Sequence, residues 1–123
     1  MATISAYTFN SIPRDSQSAI SDDAAPADIV ELADLPSFLP HVFLSIRFFD
    51  SGGLPVTPSG GTFAIEVQTQ GNQPNWEDPP EPTIDATAPT TVDWASNTYG
   101  VRVTPTSLTG VDHWSVVVFL NKT

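Results

Sequence analysis

The sequence predicts an all-β domain, an antiparallel β-sandwich of jelly-roll or immunoglobulin-like type. Twelve prolines and seven glycines are spread along the 123 residues, which is incompatible with long helices over most of the chain. Several segments alternate apolar and polar residues, the pattern of half-buried strands. These segments lie about ten residues apart with turn residues between them, a spacing typical of sandwiches and small barrels.

The first forty residues lack this alternation, so we divide the chain into an N-terminal arm, residues 1–40, and a β-sandwich domain, residues 41–123. Pro26 and Pro36 flank the apolar stretch at residues 28–35, as helix boundary signals do. One or two helical turns are expected there, and so short a helix must dock on another element. The rest of the arm is predicted to be extended. Its apolar side chains, expected to pack on a neighbouring chain, are Tyr7, Phe9, Ile12, Ile29, Leu32 and Phe38.

Strands are predicted where the alternation is clearest, because successive side chains of a strand point to opposite faces. These segments are residues 41–49, 62–69, 99–104 and 113–120. Two similar phrases, VTPS at residues 56–59 and VTPT at residues 103–106, each precede a glycine-containing turn. We interpret both as a strand that stops at proline, since proline cannot donate to a ladder. The expected inward faces comprise Val42, Leu44, Ile46, Phe48, Phe63, Ile65, Val67, Tyr99, Val101, Val103, Trp114, Val116, Val118 and Leu120.

The last predicted strand is apolar on both faces. Val117 and Phe119 point away from Trp114 and the residues in register with it. Such a strand is central in its sheet or is covered by another chain. A small homo-oligomer, with a trimer as the specific guess, would explain the excess of apolar groups.

Charge and composition exclude several classes of partner. Fourteen acidic residues face four basic ones, giving a formal net charge of −10. Four cations cannot line a groove for a phosphate backbone, so no nucleic-acid partner is expected, and the same sign opposes docking on anionic membranes. No apolar run approaches the ~20 residues of a membrane span, and no signal-peptide pattern is present. Without cysteine the chain has no disulfide and no thiolate metal site.

The sequence offers few candidates for catalysis. Asp112 and His113 follow Gly110, which we interpret as a turn leading into a strand, and no G-x-S-x-G pattern supplies a nucleophile. No two carboxylates show a spacing or setting for glycoside cleavage, and the calcium-loop pattern D-x-[DN]-x-[DN]-G is absent. We therefore predict a protein that is not an enzyme, with no catalytic residue, no cofactor and no metal site.

The most distinctive loop is QGNQPNWEDPPEP at residues 70–82, which is acidic, rich in proline and centred on Trp76. Three interpretations stay open for this tryptophan. It folds back over the end of the core, it is a hot spot of a protein contact, or it stacks on a sugar ring. Trp94 and Trp114 lie beside strand-like runs and are expected in the core.

From about Val42 onward, the phrases FFDSGGLPVTPSGGT, TIDATAPT and VDWASNTYGVRVTPTSLTGVDHW resemble small β-sandwich structural proteins of tailed bacteriophage virions, of the capsid decoration or tail and fibre type. In those proteins a G-x-x-V-T-P turn, an I-D-A-T segment, a W-x-x-N segment and a final T-G-x-x-H-[WY] strand recur. The resemblance covers roughly two thirds of the chain and brings no active-site residues with it.

The resemblance implies a non-enzymatic virion structural protein, made in the host cytoplasm and incorporated into the virion. Our first choice is a capsid decoration or cement protein on the major capsid lattice, and the alternative is a tail or tail fibre component. A carbohydrate-binding module is an alternative from a different class. The expected partners are the major capsid protein or tail proteins, and further copies of the chain. The residues predicted to contact partners are Trp76, Phe9, Leu32, Phe38, Val117 and Phe119.

Overall fold

The computed structural model describes residues 2–10, 16–35, 40–69, 75–79, 82–88, 90–95 and 98–121. These residues form two sheets packed against each other, which confirms the predicted β-sandwich. They include no helix, and therefore none that could cross a bilayer. The strands are β1 Thr3–Ile4, β2 Tyr7–Asn10, β3 Ser16–Ser21, β4 Ile29–Leu32, β5 His41–Phe49, β6 Gly60–Gln68, β7 Thr83–Asp85, β8 Thr91–Ala95, β9 Gly100–Thr109 and β10 His113–Asn121.

The strand order is that of a jelly roll with one extra strand on each sheet. One sheet, here the β10 sheet, has the order β2-β3-β10-β5-β8, and the other, the β9 sheet, has the order β1-β4-β9-β6-β7. The antiparallel pairs are nested along the chain, so that each pair lies between the two strands of the pair before it. From the outermost to the innermost they are β3 with β10, β4 with β9, β5 with β8 and β6 with β7. This nesting is the two-sheet, eight-stranded jelly-roll arrangement, so the structure selects the jelly roll of the two predicted topologies. Strand β1 joins the β9 sheet parallel to β4, and β2 joins the β10 sheet beside β3.

The core lies between the sheets and is built from alternate residues of the long strands, as predicted for β5, β6 and β10. Trp114 is fully buried at its centre, with its ring centroid 5.1 Å from that of Phe63. Its indole N–H donates to the carbonyl of Ala25 at 2.8 Å, so burial leaves no polar atom of the ring unpaired. Trp94 is also buried and donates to the Thr98 hydroxyl at 2.9 Å. The prediction that these two tryptophans belong to the core is confirmed.

The N-terminal segment is extended, but its strands are members of both sheets. The one or two helical turns predicted over residues 28–35 are wrong, because Ile29–Leu32 forms β4. Val30 and Leu32 alternate into the core, and Glu31 pairs across the ladder with Arg102. Two strands of the eight-stranded jelly roll therefore come from the predicted arm, and the sheets show no division at residue 40.

Strand β9 also differs from the prediction. It continues through Pro105, which lies opposite Phe63, whereas the sequence predicts that the strand ends there. The ladder between β6 and β9 shifts register near Gly61, whose φ is +123°. A Cβ at Gly61 would lie 2.8 Å from the Cα of Leu108, so only glycine permits this close approach of the two backbones.

Candidate functional site

Trp76 lies across the outer face of the β9 sheet, away from the core. The guanidinium carbon of Arg102, on β9, is 4.6 Å from the centroid of its ring. Glu66, on the neighbouring strand β6, accepts two hydrogen bonds of 3.0 Å from the same guanidinium. The carboxylate fixes the plane of the guanidinium, and the guanidinium attracts the face of the indole. The three side chains form a layered cluster, here the Trp76 cluster.

The backbone beside Trp76 is tied to the sheet. Glu77 exchanges two backbone hydrogen bonds of 2.8 Å with Val67, and its carboxylate accepts a hydrogen bond from the Thr69 hydroxyl at 2.9 Å. On β9, Gly100 leaves space for two side chains, because a Cβ there would collide with Oε1 of Gln68 and lie 3.2 Å from Cη2 of Trp76. Trp76 is consequently half-buried against the outside of a sheet. The interpretation that it folds over the end of the core is wrong, and the protein-contact and sugar interpretations stay predictions.

The outer face of the β10 sheet carries an apolar patch. Strand β10 is the middle strand of five, so the first of the two predicted alternatives, a central strand or one covered by another chain, is confirmed. Phe119 is half-buried on this face, and its ring centroid lies 6.0 Å from that of Phe43 on β5. Phe43 is 37% exposed. Val117 is fully buried on the same face, between its ladder partners Ile20 and Ser45.

A shallow depression of about 540 Å³ lies at the far end of the β9 sheet from Trp76. Within it, the Asp85 carboxylate accepts hydrogen bonds from the backbone N–H and the hydroxyl of Thr87, at 2.9 and 2.8 Å, and these bonds lower the pKa of Asp85. Hydroxyls and one carboxylate suit a ligand that donates hydrogen bonds. The distance from Trp76 keeps the aromatic ring and these oxygens from forming one sugar site. The lining residues are Gly60, Gly61, Thr62, Asp85, Thr87, Thr106 and Ser107.

His113 begins β10, which confirms its predicted place at a strand entry. Its Nδ1 lies 2.9 Å from the Asp112 carboxylate and its Nε2 lies 3.9 Å from that of Asp23. The imidazole stacks on Phe49 with centroids 5.2 Å apart. None of these three neighbours carries a hydroxyl or thiol that the imidazole, acting as a base, could activate. In the described part of the chain, no three His, Asp or Glu side chains are grouped closely enough to hold a metal ion.

The predicted contact residues do not converge on one surface. Val117 and Phe119 share the outer face of the β10 sheet, while Trp76 lies on the opposite side of the sandwich. Phe9 is half-buried on the edge strand β2 and packs against the core. Leu32 is fully buried between the sheets, so its predicted contact with a partner is wrong. Phe38 lies outside the described residues.

Sequence reasoning missed two residues of these surfaces. Phe43 alternates with the inward residues of β5, so alternation was enough to put it on the outer face, but its place beside Phe119 depends on the pairing of β5 with β10. Arg102 carried a weaker signal, since its outward position on β9 was predicted but its partners on β6 and in the loop depend on strand order.

The fold and these surfaces define a jelly-roll protein with candidate sites on the outer faces of its sheets. By sequence the chain belongs to the family described as "Domain of unknown function (DUF7265)", whose model matches residues 16–123. No curated protein matches the chain. One similar solved structure comes from Bacillus endospore appendages, described as a family of disulfide-linked pili. It is 12% identical, covers 96% of this chain and 92% of its own, and has a TM-score of 0.42, which is too low to bear on function.

Proposed function

We propose that the protein is a non-enzymatic structural protein of a tailed phage virion, in the first instance a capsid decoration or cement protein bound to the major capsid lattice. The resemblance of the sequence from Val42 onward to small virion proteins supports this proposal. The jelly roll is compatible with it, because viral capsid domains use this architecture. Lectin domains use it as well, so the fold alone does not choose between a virion role and a carbohydrate-binding role.

The Trp76 cluster is the observation that carries the proposal. Trp76 is fixed on Arg102, and Arg102 is fixed by Glu66, so little side-chain freedom remains for a partner to remove on binding. Tryptophan and arginine are the residue types most enriched at binding hot spots. A pre-formed aromatic platform on a rigid sheet suits a protein that attaches to a repeating surface.

Self-association is part of the proposal. The rings of Phe119 and Phe43 face outward near the middle of the β10 sheet, where solvent or a second chain must cover them, whereas Val117 on the same face is already fully buried within the chain. The trimer guessed from the sequence stays a prediction. The alternative is that the protein is a tail or tail fibre component, since the same surfaces could bind tail proteins.

A particle-binding assay tests the attachment surface. Trp76→Ala is added to phage particles that lack the protein, and bound protein is measured against wild type. We expect binding to weaken by about 2 kcal/mol or more, as truncation of a hot-spot residue does. Leu54→Ala is the matched control, because Leu54 is an apolar residue, 66% exposed, in the turn between β5 and β6. Unchanged binding of Trp76→Ala would overturn the proposal for this surface.

The carbohydrate alternative has its own measurement. The isolated protein is applied to a glycan array, and hits are followed by tryptophan fluorescence in wild type and Trp76→Ala. Specific glycan binding that depends on Trp76, without particle binding, would replace the virion role by a carbohydrate-binding one.

A further inference from the structure

Acidic side chains border the Trp76 cluster on the outer face of the β9 sheet. Glu77 forms an antiparallel bridge with Val67 on β6. Side chains alternate along such a segment, so Asp78 lies on the same face as Trp76 and opposite Glu66. Asp78 is exposed, so its carboxylate is open to a partner.

Four charged residues form one row across this face. The ladder registers place Arg102 between Glu66 on β6 and Glu31 on β4. With Asp78 opposite Glu66, the row holds three carboxylates and one guanidinium. The guanidinium donates its two hydrogen bonds of 3.0 Å to Glu66. Among the described residues, Glu31 and Asp78 form no ion pair, so the row carries an uncompensated negative charge.

The indole of Trp76 lies over the guanidinium in this row. The ring centroid is 4.6 Å from the guanidinium carbon of Arg102, and Cη2 would be 3.2 Å from a Cβ at Gly100. Both contacts are with residues of the sheet, so the exposed part of the half-buried indole faces away from it. An aromatic face bordered by carboxylates attracts a cation through the quadrupole of the ring and through the negative charge beside it.

We infer that the exposed face of Trp76 binds an arginine side chain of the partner, whose guanidinium stacks on the indole and donates hydrogen bonds to Asp78. Arginine suits this site because its guanidinium is planar, so it can stack on a ring while its N–H groups reach a carboxylate at the edge of that ring. The chain has fourteen acidic residues and four basic ones, so the complementary charge comes from the partner. The inference rests on the proposed attachment through Trp76 and adds that the attached surface is basic.

Peptide titration of the full chain tests the inference without phage particles. The probes are acetyl-Gly-Arg-Gly-amide and the same peptide with citrulline, which keeps the shape of arginine but carries no charge. The indole N–H signal of Trp76, identified in NMR spectra by its absence from Trp76→Phe, should shift with the arginine peptide and stay in place with the citrulline peptide. The response should weaken at about 1 M salt, where the Debye length falls to about 3 Å. Equal binding of the two peptides, or no shift with the arginine peptide, would overturn the inference.

Two charge variants test the role of the carboxylate. Asp78→Asn should weaken binding of the arginine peptide about two- to fivefold, the contribution of one surface ion pair. Asp93→Asn is the matched control, because it removes the same charge from an exposed residue on the other sheet and should leave binding unchanged. Equal effects of the two substitutions would show that binding follows the net charge of the chain, which would refute a site at Asp78.

Particle binding of wild type and Asp78→Asn is measured in parallel, at low and high salt. Particles that bind both proteins equally at both salt concentrations refute the basic partner surface, while the virion role stands. Particles that bind neither protein refute the virion role, and the peptide titration then decides by itself whether Trp76 binds arginine.

Discussion

The guanidinium of Arg102 lies between the indole of Trp76, 4.6 Å from its centroid, and the carboxylate of Glu66, which accepts two hydrogen bonds of 3.0 Å from it. This arrangement joins a loop residue to two neighbouring strands. The sequence leaves three interpretations open for Trp76, and the interpretation as a protein contact predicts that Trp76→Ala changes the stability by less than about 1 kcal/mol.

The structure predicts a larger loss of stability for Trp76→Ala. Trp76→Ala removes half-buried aromatic surface and a cation–π contact, so it should lower the free energy of unfolding by about 1–2 kcal/mol. A double-mutant cycle with Arg102→Ala should show a coupling of about 0.5–1 kcal/mol between the two residues. Urea unfolding of the four proteins measures both quantities. Additive effects would mean that the stacking contributes no stability.

The N-terminal strands should differ in importance. Removal of residues 2–10 takes away β1 and β2 but leaves the eight-stranded jelly roll, so the protein should fold with about 2–4 kcal/mol less stability, because Tyr7 and Phe9 no longer cover the core. Removal of residues 2–35 also takes away β3 and β4 and should abolish folding. Thermal melts of both truncated proteins measure this. The sequence predicts instead that the chain folds without residues 1–35, and a cooperative melt of the longer deletion would support that view.

A substitution at Gly61 should be costly for a steric reason. Gly61→Ala places a methyl group 2.8 Å from the Cα of Leu108 in a backbone conformation of positive φ, and we expect a loss of about 2–4 kcal/mol. Gly53→Ala is the control, since Gly53 also has positive φ but no atom within 4 Å of the added methyl group. It should cost about 1 kcal/mol. If chemical denaturation shows the same loss of unfolding free energy for both variants, β6 and β9 can move apart at Gly61 without destabilising the protein.

The Asp28 carboxylate should contribute to the pH dependence of stability. It accepts hydrogen bonds of 2.9 Å from the backbone N–H groups of Ala25 and Ala2, which lower its pKa below the ordinary 3.8. A carboxyl with a depressed folded-state pKa stabilises the protein above its unfolded-state pKa, and this contribution is lost as the pH falls through the folded-state pKa. Asp28→Asn should therefore be less stable than wild type at pH 7, and the two should converge at acid pH. A difference in melting temperature that stays constant from pH 7 to acid pH would contradict this.

Long alternating segments made much of the fold predictable. The inward residues of β5, β6 and β10 follow from period-two burial. The two apolar faces of β10 predicted a strand that is central or covered by another chain, and the sheet order shows that it is central. Strand β3, with the sequence SQSAIS, was missed because small and polar residues hide the alternation. Its Ser21 hydroxyl accepts a hydrogen bond from the Val116 N–H at 2.9 Å, a contact that depends on tertiary pairing.

Two further features of the structure were not predictable from the sequence, because they also depend on which strands pair. Ile29–Leu32 is too short for its apolar pattern to separate a helical turn from a strand, and pairing with β9 decides the outcome. The Trp76 cluster joins residues 66, 76 and 102, which only the strand order brings together. Individual outward residues are predictable from alternation, whereas their grouping into a site is not.

The proposed virion role can be tested by counting the copies of the chain in a purified phage particle. Quantitative mass spectrometry of particles, with the major capsid protein as internal standard, gives this number. A decoration protein on a symmetric lattice should be present on the order of hundreds of copies per particle, and a tail or fibre component on the order of tens. We predict the higher number. Intact virions whose genome carries the gene for this chain, purified without any of its protein, would refute the proposed virion role.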